Sequence, residues 1–486
     1  MSDSPGSDRA IEPASIGIVG GGAAGTLVAV NLLRELDFPA EILLIDKSGE
    51  FGPGIPYRTP NPEHRLNVPA IRMSAFVDEP SHFLQWLKSR DPEAADASYA
   101  SRGTYGEYLK ELLREAELNC PRHLSLTRIA GEVTDARLEN GPGATGHGPV
   151  RMTLDGVDVK LDHLVIATGP VGGGDPVPVP ESLREKGIYV PNSWDEEAVL
   201  PALGDEHVLI IGTGLTMVDV ALTLGAGRGI GTGSMVRAVS RNGLVPKPHR
   251  EGLTNISAPS VPAEGPVGIN DLLGAFSTEL LRAGTEGRGW RDAIDSMRSV
   301  TPSAWRRLSR ADKLWFIQNL NRIWEVHRYR IAPRVAASFD ELLASGRLTV
   351  QAARIGSIED AGSRAKVNLL TASGTETAEF DRVISACGAS TSVSVDAPAP
   401  IPSLIGSGAI RADHIDLGLD ADRDGAIRDS EGNRSPFFST LGSLRRGVEW
   451  ETIGVTELRW QSAEIARRLA TELGKGTQNR STQATA

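Results

Sequence analysis

Ile16-Gly17-Ile18-Val19-Gly20-Gly21-Gly22-Ala23-Ala24-Gly25 decides how this chain is read, together with the proline-free run Thr26 to Leu36 and then Ile42-Leu43-Leu44-Ile45-Asp46. A buried strand runs into a glycine turn, an amphipathic helix follows, and a second apolar strand ends in an acid. That is the order of a dinucleotide-binding βαβ unit. Gly20 permits the tight turn, and Gly22 leaves room for a pyrophosphate against the backbone. Gly25 lets the helix lie close on the sheet, and the helix N-terminus offers free N–H groups to phosphate. Asp46, twenty-one positions beyond Gly25, stands where a carboxylate accepts hydrogen bonds from a ribose. Three glycines alone are often only a turn; here the whole flanking pattern is present. The motif does not choose between FAD and NAD.

Composition sets the outer limits. A chain of 486 residues accommodates two or three domains. A net charge of −11 argues against nucleic acid or an anionic membrane as the main partner. Cys120 and Cys387 are too far apart in sequence to suggest a disulfide framework or metal cluster. The polar, acidic start MSDSPGSDRAIEPAS has no signal pattern, and no apolar run has membrane-spanning length, so a cytoplasmic location is expected.

Beyond the first unit, Phe51-Gly52-Pro53-Gly54-Ile55-Pro56-Tyr57 fixes an irregular loop that continues into His64-Arg65-Leu66-Asn67-Val68-Pro69-Ala70. One reading packs this loop over the first domain; the other makes it a wall against a flavin, with His64 and Asn67 contacting flavin or substrate. Helices are expected over 81–90 and 104–115, and a small β-meander over 125–163. Leu164-Val165-Ile166-Ala167-Thr168-Gly169 then ends a buried strand at Gly169, where backbone can approach a dinucleotide. The Gly- and Pro-rich stretch that follows suits a boundary.

A second nucleotide unit begins at His207, with Val208-Leu209-Ile210-Ile211-Gly212-Thr213-Gly214 and Met217 at the third glycine position. Its next strand, 235–240, leads into Arg241. An Arg at the ribose-reading position suits a 2′-phosphate, favouring NADPH over NADH. The plain alternative is a solvated surface charge. From about 268 to 346 the pattern turns helical, with four of the eight tryptophans and many arginines. This insert reads either as a lid or as ordinary core with solvated arginines. Its segment Trp324–Arg330 is either a nucleotide-contacting helix end or an internal salt-bridge network. Strands return at 348–350 and 365–370, and 382–388 repeats the strand-then-glycine ending. An amphipathic helix is expected from Val455 to Thr471, preceded by Gly454 and followed after Gly474 by a disordered tail. In a flavin enzyme the dipole of such a helix stabilises a reduced ring.

The stretches FGPGIPY, HRLNVPA, VLIIGTGLTMVD, SRNGLVPKPHR, WEVHRYRIAP and LGSLRRGVEWE, with the first glycine turn, resemble the FAD/NAD(P)-binding family that includes bacterial amino-acid N-hydroxylating monooxygenases. Within it the chain resembles aspartate N-monooxygenases, which oxidise L-aspartate stepwise to nitrosuccinate in biosynthesis of diazo and N–N bonded natural products. Met217 is a departure at the third glycine. The resemblance implies an α/β fold of two Rossmann-like domains, one for FAD and one for NADPH, with a helical insert in the second. The expected boundaries are 14–175 and 389–474 for FAD and 206–388 for NADPH. It implies hydride transfer from NADPH to FAD and oxygen transfer from O2 to the amine through a C4a-hydroperoxide. Arg suits a carboxylate substrate best, and Arg291 beside Trp290 is the candidate, faced by His64 and Asn67. Arg291 also has an ordinary structural reading. The cofactor contacts expected are Gly20, Gly22, Gly25, Asp46, Gly169, Gly212, Gly214, Arg241 and Gly454. The partners are a small amino acid and O2, with a homodimer as an open assembly. The chain has no redox CxxxxC after its first helix, unlike disulfide reductases of related build. Rival readings are a non-oxygenating NADPH:flavin oxidoreductase and a nucleotide-binding protein without turnover.

Overall fold

The computed structural model describes residues 12–139, 149–170, 173–199, 206–226, 235–250, 258–262, 264–388 and 392–484. The opening stretch folds as β1 (Ala14–Val19), helix Ala23–Glu35 and β2 (Ala40–Asp46), with β1 and β2 parallel. β3 (Leu124–Ala130) pairs parallel with β2. An antiparallel meander follows in β4 (Val133–Leu138), β5 (Val150–Leu154) and β6 (Val157–Leu161), and β7 (His163–Ile166) returns to the other side of β1.

The second unit repeats the plan. β8 (Tyr189–Val190), β9 (His207–Ile211), β10 (Met235–Ser240) and β11 (Leu348–Ala352) enter one parallel sheet. A meander follows again, in β12 (Arg354–Asp360), β13 (Ala365–Thr371) and β14 (Gly374–Phe380), before β15 (Arg382–Ser385) slots between β9 and β8. β16 (Ala426–Arg428) and β17 (Arg434–Thr440) then complete the first sheet in the order β16-β17-β7-β1-β2-β3. The second sheet runs β11-β10-β9-β15-β8. The two-Rossmann α/β architecture is therefore present.

Parallel strands buried on both faces need continuous apolar sequence, and these have it. Ile16, Ile18, Ile42 and Leu44 face the helices Ala23–Glu35 and Val455–Ala484. Val19, Leu43, Ile45, Leu164 and Ile166 pack on the opposite face, beneath the first meander and residues 401–419. The insert comprises helices Ile269–Thr285, Trp290–Met297, Thr301–Arg307, Arg310–Asn319, Asn321–Arg328 and Pro333–Ala344. Its last helix rejoins the core of the second sheet through Val335, Ala336 and Phe339. Its middle helices lean on the C-terminal segment, where the Trp305 and Trp450 rings lie 4.5 Å apart and Trp305 Nε1 donates to the Gly447 carbonyl at 3.0 Å. Trp315, by contrast, is exposed. Among the described residues no helix is long and apolar enough to cross a membrane.

Two expectations are corrected. Residues 124–130 are an edge strand of the main sheet, aligned Ala40 opposite Leu124, and only 133–161 form the meander. Alternation along one strand cannot distinguish these partners. The C-terminal helix does not stop at Thr471, with a disordered tail after Gly474, but continues to Ala484. A Cβ on Gly474 would press to 3.3 Å from the Phe38 ring, so this glycine lets the helix pack as it runs on.

Candidate nucleotide and substrate sites

At the first turn, Gly20 adopts φ 107° and its N–H donates to the Ile45 carbonyl at 2.8 Å. A Cβ there would overlap the Ala167 carbonyl, and one on Gly25 would overlap the Gly20 carbonyl. Both positions are therefore closed to side chains. Gly22 caps the helix without any side-chain cap, so the first-turn N–H groups have no side chain over them. The 51–57 loop folds back over this turn: Gly52 N–H donates to the Gly21 carbonyl at 2.9 Å, and a Cβ on Gly22 would stand 3.2 Å from Gly54 Cα. Asp46 closes one side, accepting from Gly21 N–H at 2.8 Å and from Ser48 N–H at 2.9 Å. Thr168 Oγ1, just beyond β7, is buried with no hydrogen-bond partner, and Gly169 beside it has φ 80° with open space around its Cα. Two facing glycines, an uncapped helix and an orphaned hydroxyl fit a dinucleotide phosphate run.

The second turn reproduces two backbone hydrogen bonds of the first. Gly212 has φ 115°, donates to the Val239 carbonyl at 2.7 Å, and would overlap the Ala386 carbonyl if it bore a Cβ. Ala386 N–H donates to the Ile211 carbonyl as Ala167 N–H donates to that of Val19, both at 2.8 Å. Val239 thus stands for Ile45, and Ser240, not Arg241, for Asp46. This corrects the ribose-reading position by one residue. Ser240 Oγ bonds Thr213 Oγ1 at 2.7 Å, a neutral contact where the first unit has a carboxylate. Arg241 follows, exposed at the mouth. Met217 is fully buried in the second core, so the third glycine position is filled by packing.

Sequence reasoning missed Arg322. From the insert helix Asn321–Arg328 its Nη2 donates to Thr213 O at 3.0 Å, Thr213 Oγ1 at 3.1 Å and Leu244 O at 2.7 Å. Its Nη1 is the nearest atom a Cβ on Gly214 would meet, at 4.0 Å. Nothing in the local sequence marks it, because the insert reaches the turn only in three dimensions.

The two units meet along residues 59–72 and 247–250. His64 is 4% exposed, and its ring nitrogens engage Thr59 Oγ1 at 2.8 Å, Thr223 Oγ1 at 2.8 Å and the Asp219 carbonyl at 3.1 Å. Thr223 gives its own proton to the Asp219 carbonyl at 3.0 Å, so it accepts from His64 Nε2–H. His64 is thereby committed to the interface between the sheets and not to flavin or substrate. Beside it Arg102 pairs with buried Asp219 at 2.9 Å. Burial raises the Asp219 carboxyl, and Arg102 opposes that.

Asn67 and Arg291 are brought to one short segment. The Asn67 carbonyl accepts from His249 Nε2 at 2.9 Å, and Arg291 Nε donates to the Pro248 carbonyl at 2.9 Å while its guanidinium lies 4.4 Å from the Trp290 ring centre. Burial, then Arg330, depresses His249 to about 4, and burial with Arg330 and Arg250 also lowers Arg291. Around them stands the internal salt-bridge network anticipated for 324–330: Arg328 holds Glu451 at 2.8 Å and Arg330 holds Asp295. Arg298 joins Glu457 on the C-terminal helix through Nε at 2.9 Å. A Cβ on Gly454 would overlap that Glu457 carboxylate, so the helix start already carries a negative charge of its own. Arg72 is lowered by burial and by Arg298, and has no hydrogen-bonded or ion-paired side-chain partner among the described residues. A polar cavity of about 990 Å³ adjoins this network, with Arg298, Arg306, Arg445, Glu449 and Thr456 in its wall. Neither glycine turn lines it.

Comparisons accord with this geometry. Residues 17–171 match the model of a family described as FAD-NAD(P)-binding. No curated protein matches the chain. Among solved structures it is similar to a Kutzneria ornithine N-hydroxylase with reduced FAD, NADP+ and L-ornithine, at TM-score 0.62 and 14% identity over 96% of this chain and 100% of that one. It is similar to an L-lysine 6-monooxygenase from Pseudomonas syringae at 0.60 and 16% identity, over 95% and 100%. A bacillithiol disulfide reductase from Bacillus cereus shares the fold at 0.52 and 14%, over 95% and 99%. The matched family is described as FAD-NAD(P)-binding, and the Kutzneria structure holds reduced FAD and NADP+.

Proposed function

We propose that the chain is an FAD- and NADPH-dependent N-monooxygenase acting on the amine of a small amino acid, with L-aspartate as the foremost candidate. Residues 14–175 and 389–474 serve as its FAD-binding part and 206–388 as its NADPH-binding part. The observation that carries the reading is the paired turn: two glycine turns of one geometry, each at the end of its own parallel sheet, with the sheets joined through His64, Asn67 and His249. The ornithine and lysine hydroxylases of like fold support amine oxygenation, and aspartate rests on the motif resemblance and on the local surplus of arginine.

In this reading Gly20, Gly22 and Gly25 hold the FAD pyrophosphate against the uncapped helix, and Asp46 receives a ribose hydroxyl. Gly212, Gly214 and Arg241 hold NADPH, with Ser240 leaving room for the 2′-phosphate. Bound FAD, reduced by NADPH, supplies the oxygen-activating chemistry. The protein excludes water and orients the amine. Arg72 and Arg291 offer guanidinium groups to substrate carboxylates, and Asn67 lines the same side.

The test is NADPH consumption with and without L-aspartate, with L-ornithine and L-lysine as comparators, while peroxide is followed and products are weighed by mass spectrometry. Aspartate-stimulated oxidation with an oxygenated product and little peroxide is expected. An aspartate-independent rate with stoichiometric peroxide would favour the non-oxygenating oxidoreductase.

A further inference from the structure

The cover over the two glycine turns differs in kind. Over Gly22 lies backbone, at Gly54. Over Gly214 lies a guanidinium, that of Arg322, delivered by the helical insert. The first turn has an acid at the strand end, Asp46, whereas the second has Ser240. A second cation, Arg241, lies close enough to depress the basicity of Arg322, after the larger effect of burial.

We propose that Arg322 is the residue of the insert that receives the pyrophosphate of the nicotinamide dinucleotide. Three acceptors fix Nη2 on both walls of the turn, Thr213 on one and Leu244 on the other. The guanidinium is therefore preorganised, with Nη1 directed over Gly214, the glycine that leaves a phosphate room to approach. A planar fork held in this way donates to phosphate oxygens at little cost in side-chain entropy. Glu325, 3.7 Å from Nη1, is already shared with Arg446 at 3.0 Å, so it neutralises Arg322 only in part. The division of labour is that Arg322 reads what NADPH and NADH have in common, and Arg241 reads the 2′-phosphate that only NADPH carries. The proposal rests on the second turn being the nicotinamide-nucleotide site.

The experiment measures equilibrium binding of NADP+ and of NAD+ to the FAD-loaded protein, at several salt concentrations, for wild type, Arg322→Gln, Arg322→Lys and Arg241→Ala. Flavin absorbance and far-UV circular dichroism confirm that each variant is folded. Arg322→Gln is expected to weaken both nucleotides by the same factor, roughly 10- to 100-fold for a lost charge-assisted hydrogen bond. It should flatten the salt dependence, and Arg322→Lys should lie between it and wild type. Arg241→Ala should weaken NADP+ alone. Unchanged binding in Arg322→Gln, a loss confined to NADP+, or equal defects in Gln and Lys with wild-type salt dependence would each overturn the proposal. Wild-type protein that retains FAD but binds neither nucleotide would overturn the reading beneath it as well.

Discussion

Gly25 and Met217 occupy the same place in two matched turns and tolerate opposite things. At 25 any Cβ overlaps the Gly20 carbonyl, while at 217 a whole methionine is buried in the core of the second sheet. Gly25→Ala should therefore cost about 1–3 kcal/mol through overpacking and loosen FAD. Met217→Gly, which restores the consensus glycine, should destabilise by about 3 kcal/mol or more, since it opens a cavity and puts glycine in a helix. Denaturant unfolding of both variants checks this; a Met217→Gly protein as stable as wild type would mean that the methionine does not fill the core at that position. Ser240 and Arg241 make a second residue-scale prediction. Arg241→Ala should cut the preference for NADPH over NADH by roughly 10- to 100-fold, in line with one charge-assisted phosphate contact, and Ser240→Asp should do the same by repulsion. The ratio of kcat/KM values for the two nucleotides is the readout.

Between elements, residues 59–67 and 102 clasp the helix Leu215–Ala226. Arg102→Ala leaves the Asp219 carboxylate buried and unpaired, a loss of about 3–5 kcal/mol. Burial already raises the Asp219 carboxyl, so the folded variant favours its protonated form. The defect should shrink as pH is lowered from 8 to 5, and urea midpoints at the two values test the sign. The βαβ units were legible because each combines a fully apolar strand with a glycine turn at fixed spacing. The ends of those strands were not: a one-residue ambiguity put the ribose position at Arg241 and not Ser240, and only the Gly212–Val239 hydrogen bond resolves it. His64 reads from sequence as facing flavin or substrate, yet its ring turns toward the second sheet, because Thr223 lies 159 residues away and no local pattern announces it. Arg322 and Arg72 were invisible for the same reason, being brought to their sites by an insert and a loop with unremarkable sequences. The polar composition after Gly474 hid the converse case, a helix that runs on to Ala484 with Gly474 packed on Phe38.

Over the whole molecule, His249 ties the 247–250 segment to Asn67 while burial and Arg330 hold its imidazole down to about 4. A depressed basic group contributes stability that is present above its unfolded value near 6.5 and is lost as pH falls toward 4. The loss from His249 alone should amount to roughly 3 kcal/mol, and buried His163, also held below its usual range, should add its own. His249→Asn, which keeps a donor for the Asn67 carbonyl without a titrating ring, should show a smaller fall in urea midpoint between pH 7 and 4.5. An identical pH profile would place the sensitivity elsewhere.

The buried clasp also limits how a catalytic cycle can run. Swinging one sheet away from the other would strip partners from His64, Asn61, Thr223 and the Arg102–Asp219 pair together. Several kilocalories per mole would be forfeited at every stroke. For the proposed monooxygenase, hinged opening of the two halves would thus be an expensive way to alternate between reduction and oxygenation. On that proposal the economical arrangement keeps the clasped scaffold still, and the glycine turns and Arg322 would hold the phosphates of a dinucleotide in place throughout.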